Sequence, residues 1–461
     1  MARSSSLASV HIDVAEEAEE APLAEPDGPF RILVAGNFSG EVSRIRKPVA
    51  VDRDNFDEVL ALFAPELSLE FAGTRLPIRF NELDDFHPDR LFQRLPPFLT
   101  LRELRERVAN GQVLPAATQP PDVSGADLLR SMMGEGPETA KPAPARSDWD
   151  RMLHDMVAPY AEPKPDPRRP DYLAQTDAAI TGEMRGVLHH RDFQDLEAAW
   201  RGLFFLIRRL PTGEDLKVYV WDMPQAELIS AEGLALFRRI AVDETVGTAG
   251  AARWTVIAGL YHFAPRSQIL RSGGVVPQET ALAQIAAIAR AAGAPFLSGV
   301  APDVVGLTRV FDTLRHSADA RWIGLAMPRF LLRLPYGART DATEEFDFEE
   351  MPSPPEHERY LWGHPAVACA YLLGEAFSRY GWRMRPGIMS QIDGLPAHVY
   401  KEGGESKLKP CAEVLLTEAA VEMLLERGFM PLVSYKDSDR VRVARFQSIA
   451  DPAAPLAGQW G

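Results

Sequence analysis

Cysteine is almost absent: Cys369 and Cys411 are the only two in 461 residues. They lie far apart, and neither sits in a CxxC or Cys/His spacing. That excludes a disulfide framework and a zinc site as organising devices, and it fits two reduced, buried thiols. Long hydrophobic runs are missing too. Without a stretch of about 18 apolar residues, no transmembrane helix is expected. The opening MARSSSLASVHIDVAEEAEE lacks the apolar core of a secretory signal. A cytoplasmic location is therefore expected. Positive charge is in deficit, with 50 Lys and Arg against 65 Asp and Glu and a net charge of −15. Binding to nucleic acid draws on clustered cations that neutralise phosphates, so DNA and RNA are not expected partners.

Short catalytic strings are also lacking. Gly36-Asn-Phe-Ser-Gly40 has neither the length nor the Gly-Lys-Ser/Thr ending of a phosphate loop, and no GxGxxG occurs. It reads as a turn that stops a strand. His189-His190 are neighbours, so on a helix they point about 100° apart and do not chelate as an i,i+4 pair would. They read as a junction between two helices, with Asp192 capping the second. Asp84-Asp85 and Glu349-Glu350 are sequence neighbours, whereas acid/base pairs face each other across a pocket. They read as solvated or salt-bridged surface. There is no nucleophile elbow. No catalytic residue, metal ligand or cofactor is expected.

What is present is ordinary globular composition, with 46% hydrophobic and 25% charged residues. The length allows about three structural units. Residues 1–27 read as a disordered acidic arm. A first folded unit, 28–110, opens with the β-rich Phe30-Arg-Ile-Leu-Val-Ala35 and a short strand at Pro48–Val51. Phe56, Val59, Leu60 and Phe63 then recur at helical spacing, with Asp54 as the expected N-cap. The alternating Leu67–Phe71 and Leu76–Phe80 form an expected hairpin. Short helices follow from Asp89 and over 99–108. Residues 111–170 hold many of the 38 prolines and read as a semi-extended linker, interrupted by short helices at 127–133 and 148–156.

A second folded unit, 171–461, starts with helices over 175–188 and 192–210. The latter carries Phe193, Leu196, Trp200, Leu203, Phe204 and Ile207 on one wide apolar face. Strands over 216–222, 254–261 and 295–300 then alternate with helices over 225–240, 279–292 and 308–316. This alternation predicts an α/β layer with a largely parallel sheet. Further along, a helix over 365–380, strands at 397–400 and 413–416, and a helix over 418–427 are expected. Arg329 and Arg333 flank an apolar run, so each is expected to need a carboxylate partner or a contact across a subunit boundary.

Several strings resemble the two subunits of the type VI secretion contractile sheath. Arg31–Gly40, Val51–Phe56 and the Asp-Asp-Phe-His-Pro-Asp core at 84–89 resemble the small subunit. Leu188–Leu203 with its Trp-Arg-Gly-Leu, Ala294-Pro-Phe296, Leu325–Gly337, Leu361-Trp-Gly363, Gly381-Trp382 and Gly428–Leu432 are similar to the large subunit. The resemblance implies a mixed α/β fold of two interlocking units, joined here in one chain. It implies a structural role, packing around an inner tube with other sheath subunits, with the baseplate and a disassembly ATPase as further partners. It carries no catalytic residues. That family's large subunit normally continues past the point matching Phe446-Gln-Ser448, so the chain is expected to be shortened there. An accessory or capping protein of the same apparatus, or a divergent α/β enzyme or ligand-binding protein, are the alternative readings. Trp200, Arg201, Phe204, Arg329, Arg333, Trp362 and Trp382 are the expected structural or interface residues.

Overall fold

The computed structural model describes residues 28–40, 45–71, 74–110, 168–246, 251–269, 275–307 and 310–460. The expected arm, most of the expected linker and its two short helices lie outside the described residues.

Among the described residues, nine strands form one sheet. Across it they run Gln391–Ile392, Val441–Val443, Phe429–Ser434, Ile323–Met327, Phe296–Val300, Val256–Phe263, Phe30–Gly36, Leu216–Asp222 and Val49–Val51. The six inner strands are parallel, and the outer pairings are antiparallel. The Phe30–Gly36 strand lies inside the sheet, with Ile32 in register with Val218 on one side and Val256 on the other. Its side chains alternate between two cores. Phe30, Ile32 and Val34 enter one, while Leu33 and Ala35 enter the other. Both faces are covered, which is why the strand reads as a continuous apolar run.

The first core is built on the helices Arg191–Arg209 and Pro365–Tyr380. The second is built on Ala231–Arg238 and Gln278–Ala292. Pro365–Tyr380 is apolar around most of its circumference and is buried accordingly. Gly202 and Gly374 let it approach its neighbours: a Cβ at Gly374 would stand 2.8 Å from Leu210. The antiparallel hairpin Glu66–Phe71 and Thr74–Arg79 is tied to the sheet through Gly40. Gly40 has φ +79°, and a Cβ there would stand 2.3 Å from the Glu66 carbonyl oxygen, so both backbone and space require glycine. At the amino ends of the strands the final residues fold back. Ile449 N–H donates to Ile323 O, Ala457 N–H to Arg321 O and the Gln459 amide to Trp254 O.

Several local expectations are corrected. The helix Phe56–Phe63 takes Asn55, not Asp54, as its cap residue, because Asp52 accepts from the Asp54 and Asn55 N–H groups and folds that turn first. The helix Arg191–Arg209 is capped by His190, whose Nδ1 accepts from Asp192 N–H. The single helix expected over 225–240 is broken at Ile229–Ser230, where Ser230 caps a second helix. Residues 413–416 form no strand: Glu413 is pulled onto Arg329 instead.

Candidate functional site

The strings that set this sequence apart meet at one junction. The Gly36–Gly40 turn leaves the central strand buried, and its amides are claimed from the neighbouring strand. Asp222 Oδ1 accepts from Phe38 N–H at 2.8 Å and Ser39 N–H at 3.1 Å. A side-chain carboxylate thus satisfies two of the turn's amides. Trp200, fully buried, donates its indole N–H to the Phe38 carbonyl at 2.9 Å. Its ring meets Phe38, Phe56 and Phe63 edge-on at 5.2, 5.9 and 5.6 Å. Phe204, partly buried one turn along, packs on Phe56 at 5.1 Å.

One turn from Trp200, the same helix contributes the acid of a buried ion network. Arg333 donates to Glu197 at 2.9 Å and to Glu350 at 2.7 Å. Arg201 donates to Glu197 at 2.6 Å and to the Tyr336 hydroxyl at 3.0 Å. Tyr336 N–H donates to Glu350 at 2.8 Å, and its ring lies 4.2 Å under the Arg333 guanidinium. His189 Nε2 stands 3.4 Å from Glu350. Glu197 and Glu350 are both fully buried, and two arginines balance them. Burial pushes the Glu350 carboxyl up, but Arg333 outweighs it with help from His189 and Tyr336 N–H, holding the carboxyl down at about 2. Burial opposes the Arg333 charge as well, and the two glutamates more than restore it. Burial raises Tyr336 to about 12, so its hydroxyl stays neutral. Glu350 is therefore not the surface acid the sequence implied, although its neighbour Glu349 is exposed.

The remaining expected residues lie around this junction. Arg329 is bidentate to Glu413, at 3.0 and 2.7 Å. Trp362 is buried beside Tyr360 and Leu331. Trp382, partly buried, packs on Phe30 and Phe377 and donates to Gly28 O. Sequence reasoning missed Glu197, Glu350, Tyr336 and Asp222. Glu197 had a legible signal: it falls four residues after Phe193, inside the apolar stripe, where an acid is buried only with a partner. Glu350 had none.

Arg329 and Trp362 also line a crevice of about 980 Å³. It opens at the carboxyl ends of five parallel strands, marked by Asn37, Gln225, His262, Ala301 and Arg329. Arg333 does not line it; it is sealed in the core. His262 packs against His364 with ring centroids 4.5 Å apart. Burial, and then Arg329, lower His262 to about 4; burial and His262 lower His364 further. Both stay neutral near pH 7. In the unfolded chain a histidine binds its proton near pH 6.5, while folded His262 does so only near pH 4. Stability is therefore expected to fall as pH drops through that interval. His262→Gln should remove on the order of 2 kcal/mol of that fall, read from urea midpoints between pH 7 and 4.5. An unchanged slope would contradict the assignment.

Among the described residues no group of His, Cys, Asp and Glu could hold a metal ion, and no helix is long and apolar enough to cross a membrane. Comparison with known proteins gives matches to tail-sheath components. The family described as "EvpB/VC_A0108, tail sheath N-terminal domain" (VipB) matches residues 171–312 and 308–450. The family described as "Type VI secretion system, VipA, VC_A0107 or Hcp2" matches residues 9–113. The type VI secretion system sheath protein TssC1 of Pseudomonas aeruginosa is 34% identical over 314 residues, 61% of this chain and 61% of that protein. The fold and these matches define a protein of the tail-sheath class. Within it, the chain belongs to the VipB family of type VI secretion sheath proteins, with a VipA-type region ahead of the VipB-type region.

Proposed function

We propose that this chain is a structural subunit of the type VI contractile sheath, carrying both partners of the sheath heterodimer in one polypeptide. The division would be 28–110 for the small-subunit-like part, 111–170 for the linker and 171–461 for the large-subunit-like part. The observation that carries the reading is the Phe30–Gly36 strand. It comes from the VipA-type region, yet both its neighbours in the sheet come from the VipB-type region. Joining the partners fixes a one-to-one ratio and raises their effective concentration. In this role the subunit packs around an inner tube in the cytoplasm, with the baseplate and a disassembly ATPase as further partners, and performs no catalysis.

Negative-stain electron microscopy of the purified chain, alone and mixed with sheath and tube proteins of the same apparatus, tests this. Tubules containing the chain along their whole length are expected. Discrete particles in every mixture, or labelling confined to tubule ends, would replace the reading with an accessory or capping role.

A further inference from the structure

Eight of the 50 cationic residues are lysines, and Lys409 is set apart by its surroundings. It leaves the hairpin Val399–Glu402 and Glu405–Leu408, and its backbone N–H closes the base of that hairpin on His398 O at 2.8 Å. The side chain crosses to the segment 357–362. There the amine lies 5.0 Å from the Tyr360 ring centroid and 5.8 Å from that of Trp362, and it donates to His357 Nδ1 at 2.5 Å. Both rings are buried and fixed. The Tyr360 hydroxyl meets His398 Nδ1 at 2.6 Å, and the Trp362 indole N–H donates to His357 O at 3.2 Å.

A lysine that only anchors two rings needs no base at its tip. Here the tip meets an imidazole, and among the described residues no carboxylate lies within ion-pair distance of it. Glu413, whose charge favours the ammonium, is held at both oxygens by Arg329. Burial lowers the hold of Lys409 on its proton, and burial followed by Lys409 lowers His357. His357 is therefore neutral near pH 7 and free to accept a proton. The other titratable and charged groups around the amine are Glu358 and Tyr360 beside His357, His398 on the hairpin, and the Arg329–Glu413 pair. A desolvated amine beside a neutral base is the arrangement that makes lysine a nucleophile. His357 is exposed and Lys409 is half-buried, so the pair is open to small solutes.

We propose that Lys409 and His357 form a self-acylating site, in which the lysine amine takes an acyl group from an acyl phosphate or an acyl thioester and His357 accepts the proton released. Lys409 Nζ attacks the acyl carbon and forms an amide. The bond from that carbon to the phosphate oxygen or the thiol sulfur breaks. The amine proton passes through His357 Nδ1 to the departing phosphate or thiolate. The product lysine has lost its charge, and with it the cation–π hold on both rings. The chemistry needs no neighbouring subunit, so it stands apart from the sheath reading.

The test treats the full chain at pH 8 with acetyl phosphate in one arm and acetyl-coenzyme A in the other, and follows each lysine by peptide mass spectrometry. Lys409 is expected to acetylate at least tenfold faster than the exposed Lys217, Lys401 and Lys436, and the arm in which it does so identifies the donor class. Its rate should also level off at a lower pH than theirs. His357→Gln, at an exposed position, should keep the urea midpoint, slow Lys409 at least tenfold and leave the other three lysines unchanged. A Lys409 no faster than those three in both arms of the parent chain would overturn the proposal. Fast acetylation that His357→Gln leaves unchanged would overturn it too, since the amine would then act without its base.

Discussion

Glu350→Gln is expected to lower the stability of the folded chain by about 3–5 kcal/mol, the usual cost of removing one partner from a buried ion pair. The substitution is nearly isosteric, so packing is preserved and the effect is electrostatic. Arg333 would keep only Glu197, which Arg201 already shares at 2.6 Å, and the network would carry a net positive charge around a buried Arg333. Replacing Arg333 and Glu350 together by Met and Gln should cost less than the sum of the single changes, because Glu197 keeps Arg201 and no charge is then stranded. Urea unfolding of the variants measures both. A Glu350→Gln loss below about 1 kcal/mol would place the pair in the class of exposed bridges and contradict its burial. The pH dependence has a definite sign. The folded pKa of Glu350, about 2, lies below its ordinary 4.5. Its contribution is present above pH 4.5 and is lost as pH falls from there towards 2, on the order of 3 kcal/mol in all. In the Gln variant that part of the acid limb should be flat.

Trp200→Ala should cost about 3–5 kcal/mol from lost packing alone, and about 1 kcal/mol more from the unpaired Phe38 carbonyl. The aromatic cluster draws Phe38, Phe56 and Phe63 from one region and Trp200 from the other, so both regions should loosen together. Trp200→Phe separates the contributions: it keeps an aromatic ring, loses the 2.9 Å hydrogen bond, and should cost nearer 1 kcal/mol on that account. Phe204→Ala, at a partly buried position, should cost less than Trp200→Ala. Circular dichroism melts report stability, and tubule formation reports assembly. A Trp200→Ala chain that folds and assembles as the parent does would refute the role given to this residue.

How much of this was legible depended on whether the determining interaction was local. The strand Leu216–Asp222 was readable as a β-branched and aromatic run bounded by turns. The helix Pro365–Tyr380 was readable from its first-turn proline and the glycine that ends it. The placement of Phe30–Gly36 between strands from far along the chain was not, because strand pairing has no local signature. Arg333 could be flagged as needing an acid, but Glu197 lies 136 residues away and nothing in spacing selects it. The crevice was equally hidden, since its walls come from the ends of five separate strands. Of the helix expected over 308–316, residues 308–309 lie outside the described residues, and the helix runs over Asp312–Arg315, with Phe311 before it at φ +57°. That left-handed step follows from tertiary packing of the buried Phe311 side chain, which overrides local propensity.

The interior position of Phe30–Gly36 also sets a clock for synthesis. Arg31 N–H finds its partner in Thr255, 224 residues later. At ~5–20 residues per second a ribosome needs roughly 10–45 s to make that much chain. For most of that interval, until Leu216–Asp222 is made, an apolar strand has both edges open, the condition under which nascent chains pair with the wrong neighbour. The first region is made early but finished late, because its central strand waits for partners from the second.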